Sequence, residues 1–148
     1  MQLSRAADYA VRAMLDVASQ GAGAVVLTRE IARRQDIPLP FLAKIIPRLG
    51  QAGLLHTYRG ALGGVALACP ASEVSLHQII EAVEGPIALN RCTIRPGACP
   101  RDTFCAVHAV WAQAQTALNR LLDSALLSDL VQQGRGEPAL CRQEGLER

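Results

Sequence analysis

Aromatic residues are scarce in this chain, 3% of 148 residues, although apolar residues of all kinds make up 50%. No apolar stretch approaches the roughly 20 residues that a membrane-spanning helix needs, so no membrane role is expected. The opening Met1-Gln2-Leu3-Ser4-Arg5 has no apolar targeting run, and five cysteines is an odd total, which argues against a secreted disulfide framework. A soluble, cytoplasmic protein is the expectation. Signs of catalysis are missing as well. There is no nucleophile and base at a recognisable spacing and no phosphate-binding glycine loop opening a helix, because Gly60, Gly63 and Gly64 lie between two expected strands. An enzyme is therefore not expected.

A chain of this length makes one domain plus an appended element, with a core that can stand without disulfides. Its net charge is only +2, but the charge is unevenly spread. Residues 1–68 carry eight Arg/Lys against four Asp/Glu, net +4, while residues 69–148 carry seven against nine, net −2. A basic first half is the footprint of a chain that meets an anionic polymer, although a solvated basic face gives the same count.

Three of the five cysteines fall in one stretch, Cys92-x6-Cys99-x5-Cys105-x2-His108. Arg95, Pro96, Gly97, Pro100 and Arg101 interrupt any long regular element there, leaving an irregular loop whose thiols can converge. In a reducing cytosol, grouped thiols more often bind metal or do redox chemistry than pair. A Cys3His zinc site is one outcome, and the order of ligands resembles the RNA-binding CCCH zinc fingers, whose last gap is usually three residues. An iron–sulfur cluster is the other, with a histidine able to replace one thiolate. Spacing alone does not choose between them. A helix beginning near Thr103 would put Cys105 and His108 on one face, within reach of one metal; the bland alternative packs His108 beside Trp111. Cys69 reads as a small buried apolar residue, and Cys141 as a bystander thiol among Gly, Pro and mixed charge.

Periodicity and punctuation supply the rest. Ser4 caps a helix to about Gln20, with Asp8 in its early turns favouring the helix dipole. Val25-Val26-Leu27 is a short extended entry, Thr28 caps a brief helix from Arg29 to Gln35, and Asp36-Ile37-Pro38 turns the chain. Pro40 opens a third helix with an apolar face of Phe41, Leu42, Ile45, Ile46 and Leu49, and Pro47 predicts a kink or an early stop. Leu54–Tyr58, the tip Arg59-Gly60-Ala61-Leu62-Gly63-Gly64 and Val65–Ala68 form a hairpin. Ser75 caps a helix over 76–84, stopped by Gly85-Pro86. A long helix over about 104–123 carries a broad apolar stripe of Val107, Val110, Trp111, Ala114, Leu118, Leu121 and Leu122. Ser128 begins one more short turn, and a flexible tail follows Gln133.

The opening Leu3-Ser4-Arg5-Ala6-Ala7-Asp8-Tyr9-Ala10-Val11-Arg12-Ala13-Met14-Leu15, the hairpin tip 59–64, the segment Leu76–Gly85 and the cysteine loop, in that order, resemble the IscR/NsrR (Rrf-type) bacterial transcription regulators. The resemblance covers residues 1 to about 132. It implies a mainly α fold with a small β-hairpin, a winged helix-turn-helix. The expected division is a DNA-binding domain over 1–85, a cluster loop over 86–106, a dimerisation helix and short turn over 104–133, and a tail over 134–148.

The same resemblance implies a homodimer, its long helices packed across a two-fold that matches a palindromic DNA operator. It also implies a regulator, expected to be a repressor, whose operator affinity is set by an iron–sulfur cluster on Cys92, Cys99 and Cys105. Oxygen, nitric oxide, redox state and iron supply are the candidate signals. DNA contacts are expected from Arg29, from Pro40, Phe41, Ala43, Lys44 and Arg48 of the third helix, and from Arg59 and Gly60 in the wing. One branch of the family uses a histidine three residues after the last cysteine, as His108 stands here, with a two-iron (2Fe-2S) cluster. The other uses an aspartate of the partner's first helix, as Asp8 stands here, with a four-iron (4Fe-4S) cluster. The first gap, six residues rather than five, matches neither branch. His108 and the two-iron cluster are taken first, because the helical spacing from Cys105 needs no second chain. The alternatives are a zinc-binding structural or RNA-binding protein, and a regulator of the same fold that senses a small metabolite.

Overall fold

The computed structural model describes residues 2–60 and 63–135. Helix α1 (Arg5–Ser19) is capped by Ser4, whose hydroxyl accepts from the Ala7 amide at 3.2 Å, and it buries Ala7, Ala10, Met14 and Val17. Strand β1 (Val26–Leu27) leads directly into α2 (Thr28–Gln35). Thr28 is the first helical residue and not the cap expected of it. Its backbone N–H donates to the Gly63 carbonyl at 3.1 Å, so the sheet satisfies a donor that a capping side chain would otherwise serve.

The α2–α3 turn follows the expected Asp36-Ile37-Pro38. Asp36 takes the left-handed conformation, φ 51°, and Ile37 is buried. Helix α3 (Leu39–Gln51) then runs through Pro47 without the expected stop. Proline leaves the Ala43 carbonyl without its helical donor, but Ala43 and Pro47 both lie on the exposed side of the helix, where that carbonyl need not be buried unpaired. The buried face of Leu42, Ile45, Ile46 and Leu49 holds the helix together across the defect.

Strands β2 (Leu55–Tyr58) and β3 (Gly64–Leu67) form the hairpin, and β1 joins it in the antiparallel order β1-β3-β2, with Val26 opposite Val65 and Tyr58 opposite Gly64. Gly64 permits the close approach: a Cβ there would lie 2.9 Å from Val25 Cγ1 and 3.2 Å from the Val26 carbonyl oxygen.

A 3-10 turn (Ala71–Glu73) precedes α4 (Leu76–Glu84), which opens on a full capping box between Ser75 and Gln78. The cysteine stretch contains a single helical turn, α5 (Arg91–Ile94). Helix α6 spans His108–Ser124, four residues later at its start than expected, and α7 spans Leu127–Arg135. The chain between α5 and α6 is spent in turns; Arg101 O alone accepts from both Phe104 N and Cys105 N, at 3.2 and 2.8 Å. Where a short final turn was expected, α7 returns to the head. Leu127 is fully buried, its amide donates to Val74 O at 2.8 Å, and Arg135 donates to Ser19 O at 2.6 Å, past the point where the tail was expected to begin. Cys141 lies outside the described residues.

One core therefore joins α1, α2, α3, α4, the sheet and α7. Among the described residues Asp16 is the one buried charged side chain, held by Arg34 Nη2 at 2.6 Å, Arg34 Nε at 3.0 Å and Gln35 Nε2 at 3.0 Å. Burial alone would raise its pKa. The hydrogen bonds from Arg34 and Gln35, with the Arg34 charge, outweigh that effect and hold the carboxyl below the usual carboxylate range.

Candidate functional site

Two regions carry candidate residues. On the first, Pro40, Phe41, Ala43 and Lys44 are all exposed on the N-terminal half of α3. Phe41 is not free, however: its ring meets that of Tyr9 edge-on at 5.9 Å, and the Arg12 guanidinium lies 5.0 Å from the Tyr9 ring centre. Arg12 Nη1 also donates to Gln35 O at 2.7 Å, so one arginine braces α1 against the end of α2 behind the recognition helix. Arg29 is exposed in the first turn of α2, beside the wing through the Thr28–Gly63 bond. Arg59 and Gly60 are exposed where β2 ends, Gly60 with φ 146°; Ala61 and Leu62 lie outside the described residues.

Arg48 departs from the expected pattern. Its Nη1 donates to the Val83 carbonyl at 2.8 Å, tying the end of α3 to the end of α4. Cationic guanidinium on the orphan carbonyls of a helix C-terminus is a stabilising arrangement, and it commits Arg48 to the scaffold.

The second region is the cysteine loop. Cys92 lies in α5; Cys92, Cys99 and Cys105 are each partly buried and each a free thiol. Cys92 and His108 line one cleft of about 570 Å³, together with Arg95, Asp102, Ala112 and Gln115. Its α6 wall is His108, Ala112, Gln115 and Thr116, the i, i+4, i+7, i+8 face of the helix. His108 Nδ1 is buried and has no hydrogen-bond partner. Cys99 and Cys105 do not line the cleft. The helical pairing of Cys105 with His108 does not form either, because His108 is the first residue of α6 and Cys105 sits in the turns before it. Among the described residues no three His, Cys, Asp or Glu side chains are gathered as a metal site. Asp8 projects from α1, and its Oδ2 pairs with Arg12 Nε at 3.2 Å.

Three features escaped the sequence reading. Asp102 accepts from the Gly97 amide at 2.6 Å, closing the loop on itself. Gln115 is buried and bonded to the chain that enters the loop. His77 on α4 bridges to α6 through Asp123 at 2.6 Å, with Glu81 at 3.1 Å on its other nitrogen. Gln115 alone had a legible signal, a polar residue seven positions after His108 and so on the same face of one helix.

A helix-turn-helix whose second helix is exposed, followed at once by a hairpin with an arginine at its tip, defines a winged-helix DNA-binding regulator. Comparison with known proteins agrees. The sequence profile of the Rrf2 family, described as an iron-dependent transcriptional regulator, matches residues 3–133, and the chain belongs to that family. It is 33% identical over 131 residues to protein rrf2 of Nitratidesulfovibrio vulgaris, covering 88% of this chain and 87% of that one. It is 34% identical over 131 residues to the HTH-type transcriptional regulator IscR of Escherichia coli O139:H28, covering 88% and 80%. Among solved structures, IscR of T. potens superposes with a TM-score of 0.71 at 29% identity, over 90% of this chain and 88% of that chain. CymR, the global cysteine regulator of B. subtilis, shares the fold, with a TM-score of 0.73 at 23% identity over 89% and 97%. The protein is thus a DNA-binding transcriptional regulator. No helix among the described residues is long and apolar enough to cross a membrane.

Proposed function

We propose that this regulator represses from a palindromic operator as a homodimer, with an iron–sulfur cluster on the cysteine loop setting its DNA affinity. The observation that carries this reading is the buried, unpartnered Nδ1 of His108 on the wall of the cleft that Cys92 also lines. A buried ring nitrogen without a partner carries a desolvation cost that a ligand to it would relieve. The donor set suits iron: three free thiols and one imidazole within the seventeen residues 92–108. Cys92, Cys99, Cys105 and His108 would hold a two-iron cluster; with Asp8 of the partner in place of His108, a four-iron cluster is the alternative. When bound, such a group supplies an oxidant-labile, redox-active centre. The protein's own contribution is to bring Cys99 and Cys105 to the cleft, to orient the imidazole and to limit solvent access. The dimer is supported by the apolar surface of Val107, at the entry to α6, and Val110, Trp111 and Leu121 on the helix, all of which are exposed.

Anaerobic purification followed by iron and sulfide analysis and absorption spectroscopy tests the reading. A brown protein with iron and acid-labile sulfide in equal amounts supports it; a colourless protein binding zinc overturns it. A second reading rests on the cleft and on the shared fold with CymR: a small metabolite could occupy the cleft in a cluster-free regulator. In that case the anaerobic protein is colourless and metal-free.

A further inference from the structure

Three polar side chains other than surface ones are buried among the described residues: Asp16, Ser75 and Gln115. Asp16 is accounted for by Arg34 and Gln35, and Ser75 by the cap of α4. Gln115, 8% exposed, has no such local explanation. Its Oε1 accepts from the Leu89 amide at 2.7 Å and lies 3.2 Å from Thr93 Oγ1; its Nε2 donates to Ile87 O at 2.9 Å and to Asn119 Oδ1 at 2.8 Å. Both amide protons are used and Oε1 accepts from Leu89, while the single Thr93 hydroxyl proton is shared between Gln115 Oε1 and Asn90 O, the nearer acceptor.

The chain between α4 and α5 forms no regular element of its own, so Gln115 supplies bonds that a strand or helix would otherwise supply. Thr93 adjoins Cys92, and its hydroxyl also donates to Asn90 O at 2.7 Å, so the Gln115 amide reaches the base of α5. Gln115 and His108 lie seven residues apart on the same face of α6, and both line the cleft with Cys92. The helix that carries the imidazole is therefore pinned, two turns on, to the backbone that carries the first thiol.

We infer that Gln115 is a positioning residue of the sensor loop, holding Cys92 in register with His108. The importance of that register rests on the sensor role proposed above; the placement of Cys92 itself does not. Gln115→Glu keeps the shape and the acceptor but turns two donors into a carboxylate facing the oxygens of Ile87 and Asn119. Gln115→Met removes all four bonds.

The test is peptide-resolved alkylation of the reduced, metal-free, full-length protein, followed by the reduction potential of the anaerobic, cluster-loaded protein. Losing two net hydrogen bonds should free the loop entry enough to raise Cys92 alkylation about tenfold. Cys99 and Cys105, which Gln115 does not hold, should react at the wild-type rate. That selectivity separates positioning from general loosening, in which all three thiols speed up together. Thr93→Val, which removes one contact from the other side, should act on Cys92 in the same direction by a smaller factor, and it decides the matter if neither Gln115 variant folds. Unchanged Cys92 reactivity in folded variants, or equal acceleration of all three thiols, overturns the inference. A selective change at Cys92 in a protein that holds no cluster leaves Gln115 its positioning role and overturns the cluster reading alone. With a cluster bound, the variants should shift its potential; an identical potential in wild type and both Gln115 variants also counts against the inference.

Discussion

His77 on α4 and Asp123 on α6 meet at 2.6 Å, Nδ1 to Oδ1, and so join the DNA-reading head to the long helix that carries His108. His77 is 15% exposed and Asp123 60%, so the pair is half-buried and its removal is worth only about 0.5 to 1 kcal/mol. Asp123→Ala should lower stability by that amount in urea denaturation while leaving the secondary structure intact. A loss well above this range would mean that Asp123 has further partners.

DNA binding should be strongly salt-dependent, because each phosphate contact releases counterions and lowers log affinity by roughly 0.9 per unit of log salt. Arg59→Ala should weaken operator binding by about 1 to 3 kcal/mol if the arginine reads a base or a narrow groove, with a smaller loss on unrelated sequence. Equal losses on both would identify a phosphate contact. Arg48→Ala should instead reduce folding stability, since its guanidinium is engaged by Val83 O.

The pair of Asp16 and Arg34 should govern part of the acid stability. The Asp16 carboxyl is depressed in the folded protein, so its stabilising effect is complete above the usual carboxylate range and is lost as pH falls below about 4 through the folded value. Asp16→Asn should cost roughly 1 to 3 kcal/mol at neutral pH, and the gap to wild type should narrow in acid. Urea midpoints measured at pH 7 and pH 3 check the sign; a gap that widens in acid would falsify this assignment.

The fourth ligand can be decided by two single variants. With His108 as ligand, His108→Ala should alter or destabilise the cluster, and Asp8→Ala should leave its spectrum almost unchanged. With Asp8 of the partner as ligand the order reverses. Side-by-side anaerobic spectra distinguish the cases. Wild-type spectra from both variants would remove both residues from the site.

The apolar face of α6 should be the dimer contact. Val110 is 59% exposed and Leu121 66%. In a two-fold interface each substitution counts twice, so Val110→Asp should weaken self-association by about a hundredfold or more. Analytical ultracentrifugation across a concentration series measures it, and a variant as dimeric as wild type places the interface elsewhere.

Short-range signals carried the helix-turn-helix, the wing and the α4 cap. Ser4, Ser75 with Gln78, Asp36-Ile37-Pro38 and the glycines of the hairpin act within four or five residues, where sequence alone constrains the backbone. Tertiary structure decided what depends on distant partners. Thr28 loses its capping role because Gly63 reaches its amide, and Pro47 stays helical because the buried side of α3 is packed while its defect lies on the exposed side. The late start of α6 leaves Cys105 in the turns before the helix that carries His108. Arg48 with Val83, Gln115 with Leu89 and His77 with Asp123 are pairs 35, 26 and 46 residues apart. Each depends on how two helices or a helix and a loop come to lie together, which no local spacing contains, because a side chain's partner across the fold is chosen by packing of the whole core and not by its neighbours in the chain.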